Sequence, residues 1–323
     1  MAIWLCVDIE ERIFGIIENL KYAPRETWIW SEKVDVGDVE FHPFDIEHGG
    51  RIAAVDGSSG IAEPMGGLYL GLVRAGYVIY YDDRERKEIS PIGVFHIGFQ
   101  NSKEIYADRY EEIFGEPPAK IGETDPKYML QRIRTLEEYR YAFKALQMLN
   151  EGDILLVDGA LRGDLHTPEI AIRMLSEMAQ DKGISVVGIS KNSGMSIGMM
   201  PLIPFLDAKA SAEGYDRWFT KISGRVSGGK EEIYVVRYNA LGESAFRTDI
   251  ITLEKVEKVF GRMAWYCDDV AYLGYPYPLA DVHNEVIIKK GVVDDVSSRF
   301  KVSAMMNGLD MPEDFHRKLD RGA

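Results

Sequence analysis

The chain has 323 residues, of which 46% are hydrophobic and 28% are charged, a composition that excludes disordered and fibrous proteins. Its formal net charge of −14 argues against a protein that binds nucleic acid through its whole surface, and it leaves room for a local basic groove. The opening MAIWLCVDIEERIF lacks the features of a signal peptide, and no apolar run approaches the roughly 20 residues that cross a bilayer, so we expect a cytoplasmic protein without membrane contact.

The first predicted element is an amphipathic helix over Ile9–Leu20, where apolar side chains recur at helical spacing. The run RIAAVDGSSG then predicts a strand over Arg51–Asp56 that ends in a turn. Two strand-like runs, Leu68–Tyr81 and Ile89–Phe99, flank the charged stretch DDRERKE and predict an antiparallel hairpin. Tyr128–Leu149 lacks glycine and proline and carries a regular apolar stripe, which predicts a long helix.

The next elements are the strand DILLVDGAL, a helix over Thr167–Gln180 and the buried strand ISVVGIS. This order of strand, hairpin, helix, strand, helix and strand predicts an α/β fold, an RNase-H-like mixed sheet flanked by helices with N- and C-terminal elaborations. We expect a single domain over residues 1–323, with a core at about 50–290, a helical N-terminal segment at 1–49 and a C-terminal helix at 291–323.

Two predicted strands end in the same way, with an aspartate between a buried apolar run and a glycine turn. They are Asp56 in AAVDGSSG and Asp158 in LLVDGALRG. If the two strands are parallel neighbours, both carboxylates project from one edge of the sheet. An aspartate before glycine also initiates turns, so a purely structural role stays open for each.

The long helix supplies a third acid. Glu137 follows Leu136 and borders the buried stripe, whereas Glu138 is expected to turn further toward solvent, next to Arg134. Glu137 is therefore the preferred candidate. A solvated glutamate on the helix surface is the alternative, because most helix glutamates are of that kind.

Three carboxylates at one site repel one another, at about 4 kcal/mol per pair for a 4 Å separation and an effective dielectric near 20. A divalent cation relieves that repulsion, and oxygen ligands favour Mn²⁺ or Mg²⁺. The two cysteines, Cys6 and Cys267, stand too far apart in sequence to form a zinc motif. Two ions about 3.5–4 Å apart activate water and stabilise the leaving oxygen of a phosphodiester, so the predicted chemistry is metal-dependent phosphodiester hydrolysis.

Later polar residues fit the same chemistry. Lys191 in GISKNSG follows a predicted strand, from which an ammonium group can reach a phosphate or orient water. Tyr275, Asp281 and His283 lie close together in GYPYPLADVHNE, where the histidine can ligate a metal or carry a proton. A surface lysine and a structural histidine are the alternatives.

The segments VDGSSG, RTLEEYRYA, LLVDGALRG, GISK and YPYPLADVH occur in an order and spacing that resemble the NurA family of 5′ to 3′ nucleases. The matched segments run from about Arg51 to His283. The resemblance implies an RNase-H-like fold, Mn²⁺-dependent exonuclease and single-strand endonuclease activity on DNA, and a homodimer. It also implies a partnership with a hexameric HerA-type ATPase in DNA end resection.

The resemblance further implies which residues carry the reaction. Glu138 is the alternative to Glu137, and Tyr277 is the alternative to Tyr275. The stretch FHPFDIEH offers histidines and acids that imitate a metal site, but we expect it to form an irregular surface loop. The residues implied to be catalytic are Asp56, Glu137, Asp158, Lys191, Tyr275 and His283, with Asp56, Glu137, Asp158 and His283 as metal ligands.

The acidic balance of the chain requires explanation, because a nuclease must hold a polyanion. Basic residues between Arg217 and Lys230, with Trp218 and Phe219 available to stack on bases, form one candidate contact, and the ATPase partner is another source of DNA affinity. Two other functions stay open. One is a non-catalytic dimeric adaptor of the ATPase, and the other is an actin-like ATP-binding phosphotransferase, which also uses strand-ended acids and a turn such as DGSSG.

Overall fold

The computed structural model describes residues 26–29, 32–35, 39–65, 68–81, 84–122, 125–191, 193–197, 200–223 and 231–308. The chain divides into two compact units. The first unit comprises the described residues of 49–158, 162–186 and 278–308, and the second comprises those up to 48 with 159–161 and 187–277. The expected helix over Ile9–Leu20 lies outside the described residues, and the single-domain division stays a prediction.

Strands and helices alternate through most of the chain. The strands are β1 Glu26–Ile29, β2 Glu32–Asp35, β3 His42–Pro43, β4 Ile52–Met65, β5 Leu68–Tyr81, β6 Arg84–Ile89, β7 Gly93–Gly98, β8 Ile154–Asp158, β9 Ser185–Ser190, β10 Ser196–Ile197, β11 Met200–Pro201, β12 Trp218–Ser223, β13 Glu232–Arg237 and β14 Phe246–Ile251. The helices are α1 Ser102–Phe114, α2 Pro126–Met148, α3 Glu169–Asp181, α4 Leu202–Ala212, α5 Val256–Trp265, α6 Tyr277–Val286 and α7 Lys290–Met306.

The first unit contains a mixed sheet with the strand order β8-β4-β5-β6, and β7 also pairs with β5. Strands β4 and β8 are parallel, whereas β4, β6 and β7 are each antiparallel to β5. The stretch DDRERKE, expected to be a turn, contributes most of β6. The described charged side chains of this strand are exposed. The predicted α/β class with a mixed sheet flanked by helices is confirmed.

Asp153 fixes the register of the parallel strands at their start. Its Oδ1 accepts a hydrogen bond from the Arg51 N–H at 2.8 Å, and its Oδ2 accepts one from the Asn150 N–H at 2.8 Å. The Ile154 N–H in turn donates to the Arg51 carbonyl at 2.9 Å. Ile52 therefore pairs with Ile154, and the register continues to Val55 opposite Val157.

Helix α2 covers the sheet of the first unit. It begins at Pro126, preceded by Asp125, whose carboxylate accepts a hydrogen bond from the Lys127 N–H at 2.8 Å. Its apolar stripe is fully buried at Ile133 and Leu136, as the sequence periodicity predicts. The helix therefore carries its polar residues along the margins of a buried stripe.

The second unit has its own sheet order, β3-β12-β13-β14 with the end of β9 beside β14, and a small sheet of order β11-β10-β1-β2. The N-terminal segment 1–49, expected to be helical, forms the strands β1, β2 and β3 in its described part. Trp218 is fully buried and Phe219 is 4% exposed, so the expectation that they stack on bases is wrong. Trp218 packs in a core cluster with Phe41 and Leu206, and Phe219 packs against Phe44 and Phe260, so neither ring is available to a base.

None of the described helices is long and apolar enough to span a membrane. The C-terminal helix expected over 291–323 is present as α7 in its described part.

Candidate active site

The parallel register of β4 and β8 brings two aspartates to the same edge of the sheet. Val55 pairs with Val157, so Asp56 and Asp158 are the next residues of neighbouring parallel strands. Asp56 is buried, with 4% of its surface exposed, and Asp158 is half-buried at the last position of its strand. Their carboxylates are close enough for the charge of Asp158 to raise the pKa of Asp56.

His283 reaches the same place from helix α6. Its Nδ1 lies 2.7 Å from Asp56 Oδ2, while the Gly57 N–H donates to Asp56 Oδ1 at 2.7 Å. The imidazole is about half exposed, so it stands between the buried carboxylate and solvent. The two carboxylate oxygens of Asp56 are therefore held in one orientation, Oδ1 by Gly57 and Oδ2 by His283.

The third acid at this edge is Glu138 and not Glu137. A Cβ placed on Gly57 would lie 2.7 Å from both Cγ and Oε1 of Glu138, so the glutamate occupies the space that the missing side chain leaves open. Glu137 instead pairs with Arg140 at 3.6 Å and with Arg109 at 3.9 Å. The expectation that Glu138 turns further toward solvent is wrong, because the two side chains are 14% and 13% exposed.

Burial and neighbouring charges shift the pKa values of two of these carboxyl groups. Burial is the largest cause that raises the pKa of Glu138; Arg134 lowers it, the charges of Asp56 and Asp158 raise it, and the net pKa is about 7. Burial is also the largest cause that raises the pKa of Asp56, and the hydrogen bonds with His283 and Gly57 oppose that rise. Paired carboxyl groups with raised pKa values are typical of catalytic sites and of metal sites.

Lys191 and Tyr275 lie together in the second unit. The Lys191 ammonium is 5.5 Å from the centre of the Tyr275 ring, a cation–π contact. The alternative tyrosine, Tyr277, donates its backbone N–H to the Tyr266 carbonyl at 2.8 Å. The structure therefore brings Lys191 and Tyr275 to each other, and the carboxylates and His283 to each other.

The early histidine stretch FHPFDIEH forms β3 and irregular backbone in the second unit. His42 packs against Phe219 with ring centres 5.3 Å apart, and His48 packs against Trp265 at 3.9 Å. Both rings thus make packing contacts, in accord with the expected irregular segment.

The NurA domain model matches residues 50–288, which is most of the chain. The chain belongs to the NurA family. The resemblance drawn from the sequence motifs is thereby confirmed, and as a NurA protein the chain is a nuclease. A search of curated proteins finds no match.

A solved NurA structure shows the same fold. The NurA nuclease from Sulfolobus solfataricus is 16% identical, with a TM-score of 0.61 over 94% of this chain and 96% of that chain. A NurA crystal structure with manganese is 10% identical, with a TM-score of 0.48 over 83% of this chain and 91% of that one. Endonuclease V from Ciona intestinalis in complex with a 24mer DNA is 10% identical, with a TM-score of 0.39 over 78% and 86% of the chains.

The acids of this NurA protein suit a hard divalent cation by their chemistry. Three carboxylates supply oxygen donors, and burial, followed by their mutual negative charge, raises the pKa of Asp56 and of Glu138. Across the described residues, no three His, Cys, Asp or Glu side chains form a preformed ligand cluster. The donor types therefore fit Mn²⁺ or Mg²⁺, and ligation requires the side chains to close on the ion.

Gly57 and Arg134 are site residues of this NurA protein that the sequence analysis did not single out. Gly57 lies against the side chain of Glu138. The sequence feature that could have identified Gly57 was the Asp-Gly dipeptide, which we interpreted only as a turn. Arg134 lies 3.3 Å from Glu138, with Nε facing Oε1. The sequence feature that could have identified Arg134 was its spacing of four residues from Glu138, which places both side chains on one face of the helix.

Proposed function

We propose that this NurA protein is a metal-dependent deoxyribonuclease that hydrolyses phosphodiester bonds at the shared edge of β4 and β8. The observation that supports the proposal is the meeting of Asp56, Asp158 and Glu138, three acids from two strands and a helix, with His283 on Asp56. The sheet, the helix and the missing side chain of Gly57 are all needed for this meeting. An isolated Asp-Gly turn would need none of them.

In this proposal Asp56, Glu138 and Asp158 hold Mn²⁺ or Mg²⁺, as two ions in one active site. His283 has Nδ1 engaged by Asp56, so Nε2 is the ring nitrogen left to coordinate. Bound cations of this kind supply a Lewis acid for the phosphate and lower the pKa of water. Glu138 thus replaces Glu137 as the helix ligand, because Glu137 is engaged in ion pairs with Arg109 and Arg140.

The remaining side chains hold and move protons or bind phosphate. Asp56 orients the His283 ring, and while Nε2 is not on the cation the half-exposed imidazole exchanges a proton with solvent or with the leaving oxygen. Lys191 and Tyr275, held together by their cation–π contact, contact the DNA backbone. Their assignment rests on the NurA resemblance.

The finer activity follows from that resemblance as well. We propose 5′ to 3′ exonuclease and single-strand endonuclease activity in DNA end resection, carried out in the cytoplasm by a homodimer with a hexameric HerA-type ATPase. The net charge of −14 supports the need for a partner, because an acidic nuclease gains DNA affinity from an ATPase that holds the strand. Light scattering of the purified chain and co-purification with the ATPase test these assemblies.

The decisive experiment measures cleavage of a 5′-labelled single-stranded oligonucleotide with and without Mn²⁺. We expect Asp56→Asn and Asp158→Asn to lower the Mn²⁺-dependent rate by at least about 100-fold, the usual cost of losing an electrostatic contact to the transition state. Asp295→Asn is the matched control, since Asp295 is exposed and pairs with Arg299 on α7. We expect its rate to be unchanged.

Full Mn²⁺-dependent cleavage by Asp56→Asn or Asp158→Asn would overturn the assigned site. Absence of cleavage by the unaltered protein, even with its ATPase, would favour the adaptor. His283→Ala should lower kcat by about 10²-fold while the Kd for DNA stays within about twofold, because the imidazole acts on the cation or on a proton and not on the strand.

A further inference from the structure

Arg134 stands at the edge of the carboxylate site, one helical turn before Glu138. Its Nε lies 3.3 Å from Glu138 Oε1, and its Cγ lies 3.2 Å from the position of a Cβ on Gly57. The side chain is 37% exposed, yet Nε is shielded from solvent and makes no hydrogen bond within the described residues. The guanidinium therefore reaches from the buried acids toward solvent.

Helix α2 also carries a second arginine–glutamate pair for comparison. Arg140 is 39% exposed and lies 3.6 Å from Glu137, and it also lies 3.3 Å from Glu112 of α1. This pair belongs to a surface network between two helices. Arg134 and Arg140 thus resemble each other in exposure and pairing, and they differ in what lies beside them.

The charge balance around Arg134 changes when a cation binds. With Glu138 ionised, Asp56, Asp158 and Glu138 carry three negative charges, and Arg134 supplies one positive charge. A divalent cation on Glu138 neutralises the carboxylate that attracts Arg134, so the ion pair weakens. The guanidinium then has free donors beside a bound metal, and its planar fork matches two oxygens of a phosphate.

We propose that Arg134 binds a phosphate of the DNA substrate, and that cation binding to Glu138 releases it for this contact. The inference rests on the proposed function, because it requires Glu138 to be a metal ligand. Helix α2 then binds two groups from positions one turn apart, because Glu138 binds the cation and Arg134 binds the DNA strand.

The experiment measures binding of a fluorescein-labelled 12-nucleotide oligothymidylate by anisotropy over a series of salt concentrations. Ca²⁺ replaces Mn²⁺, and a gel confirms that the oligonucleotide stays uncut. For Arg134→Gln we expect about tenfold weaker binding, as for the loss of a charged hydrogen bond. We also expect the slope of log K against log salt to become shallower by about 0.7, the value for one lost contact to a single strand.

Three controls make the outcome specific. Arg140→Gln should leave the slope and the affinity unchanged. Arg134→Lys should keep the slope and lose about tenfold in kcat/KM with Mn²⁺, because the charge stays and the planar fork is lost. In EDTA the unaltered protein and Arg134→Gln should show equal slopes, since Arg134 is then held by Glu138.

An unchanged salt slope for Arg134→Gln in Ca²⁺ would overturn the phosphate contact. An equal loss of slope in EDTA would overturn the release by the cation. Glu138→Gln separates this inference from the proposed function. If Glu138→Gln abolishes cleavage while Arg134→Gln behaves as the unaltered protein, only the inference fails, whereas full cleavage by Glu138→Gln contradicts the proposed ligand set.

Discussion

Two adjacent glutamates on helix α2 have opposite surroundings. Glu137 faces α1 and shares the surface arginines Arg109 and Arg140. Glu138 faces β4, where Gly57 leaves room for it beside Asp56. Both side chains are about equally shielded from solvent, so burial alone does not distinguish them.

The two glutamates differ in the positive charge that balances them. On the α1 side, two arginine side chains balance the negative charge of Glu137, so no further positive charge is required there. On the β4 side, burial and then the charges of Asp56 and Asp158 raise the pKa of Glu138, and the single Arg134 offsets them only in part, so the pKa is about 7. An excess of acids over bases at a buried edge indicates a site that is completed by a bound cation.

The sharpest test of this comparison is the matched pair Glu138→Gln and Glu137→Gln in a cleavage assay with Mn²⁺. We expect Glu138→Gln to lower kcat by about 10²–10³-fold, because it removes a ligand and a negative charge from the reaction site. Glu137→Gln loses surface ion pairs that contribute about 0–1 kcal/mol each to stability, and its rate should stay within about twofold. The reverse order of the two effects would restore Glu137 as the helix ligand.

Gly57→Ala tests the same geometry from the strand. The new Cβ would lie 2.7 Å from the end of Glu138, a flexible side chain that can move away, so activity should fall by about 10²-fold with little loss of stability. Gly60→Ala is the control on β4, since its Cβ would meet Val293 at 3.4 Å, an ordinary contact. Circular dichroism melting checks stability. Similar activity of the two alanine variants would contradict the role of the open space.

The stability of the metal-free protein should depend on Glu138 and on pH. The pKa of Glu138 is about 7 in the folded protein against a usual 4.5, so its ionisation destabilises the fold as pH rises from about 4.5 to about 7. In EDTA at pH 8, Glu138→Gln should raise the free energy of unfolding by no more than about 3 kcal/mol, since the side chain is still 14% exposed. At pH 4.5 the gain should vanish.

Urea unfolding at the two pH values measures this difference, with Glu137→Gln as the control that shows no gain at pH 8. A lower stability of Glu138→Gln at pH 8 in EDTA would mean that burial and the neighbouring acids do not destabilise the ionised Glu138.

The smallest expected effect concerns Mn²⁺ affinity. A cation competes with the proton on Glu138, so between pH 8 and pH 6 the affinity should fall by about tenfold, the change in the ionised fraction of a group with a pKa of about 7. Isothermal titration calorimetry in two buffers also detects the released proton. A flat affinity over this range would show that Glu138 does not bind the cation.

Much of the fold and part of the site were predictable from the sequence. The apolar runs that reach Asp56 and Asp158 both form strands, and their parallel pairing places the two aspartates side by side as predicted. The expected turn after Asp56 is wrong, because β4 continues to Met65 in its pairing with β5. The long helix lies within one or two residues of its predicted bounds. The prediction was wrong for the charged stretch DDRERKE, which was interpreted as a turn and forms most of β6. It was also wrong for Trp218 and Phe219, which were interpreted as accessible to bases and are buried.

The sequence alone determined the order of strands and helices, because the apolar periodicity of each segment is a local property of the chain. It also determined that the apolar runs of two strands each lead into an aspartate. Only the tertiary structure decided which glutamate joins them, because that depends on the rotation of α2 over β4 and on the space above Gly57. Residues 137 and 138 differ by about 100° around the helix axis, and packing across the sheet selects between them.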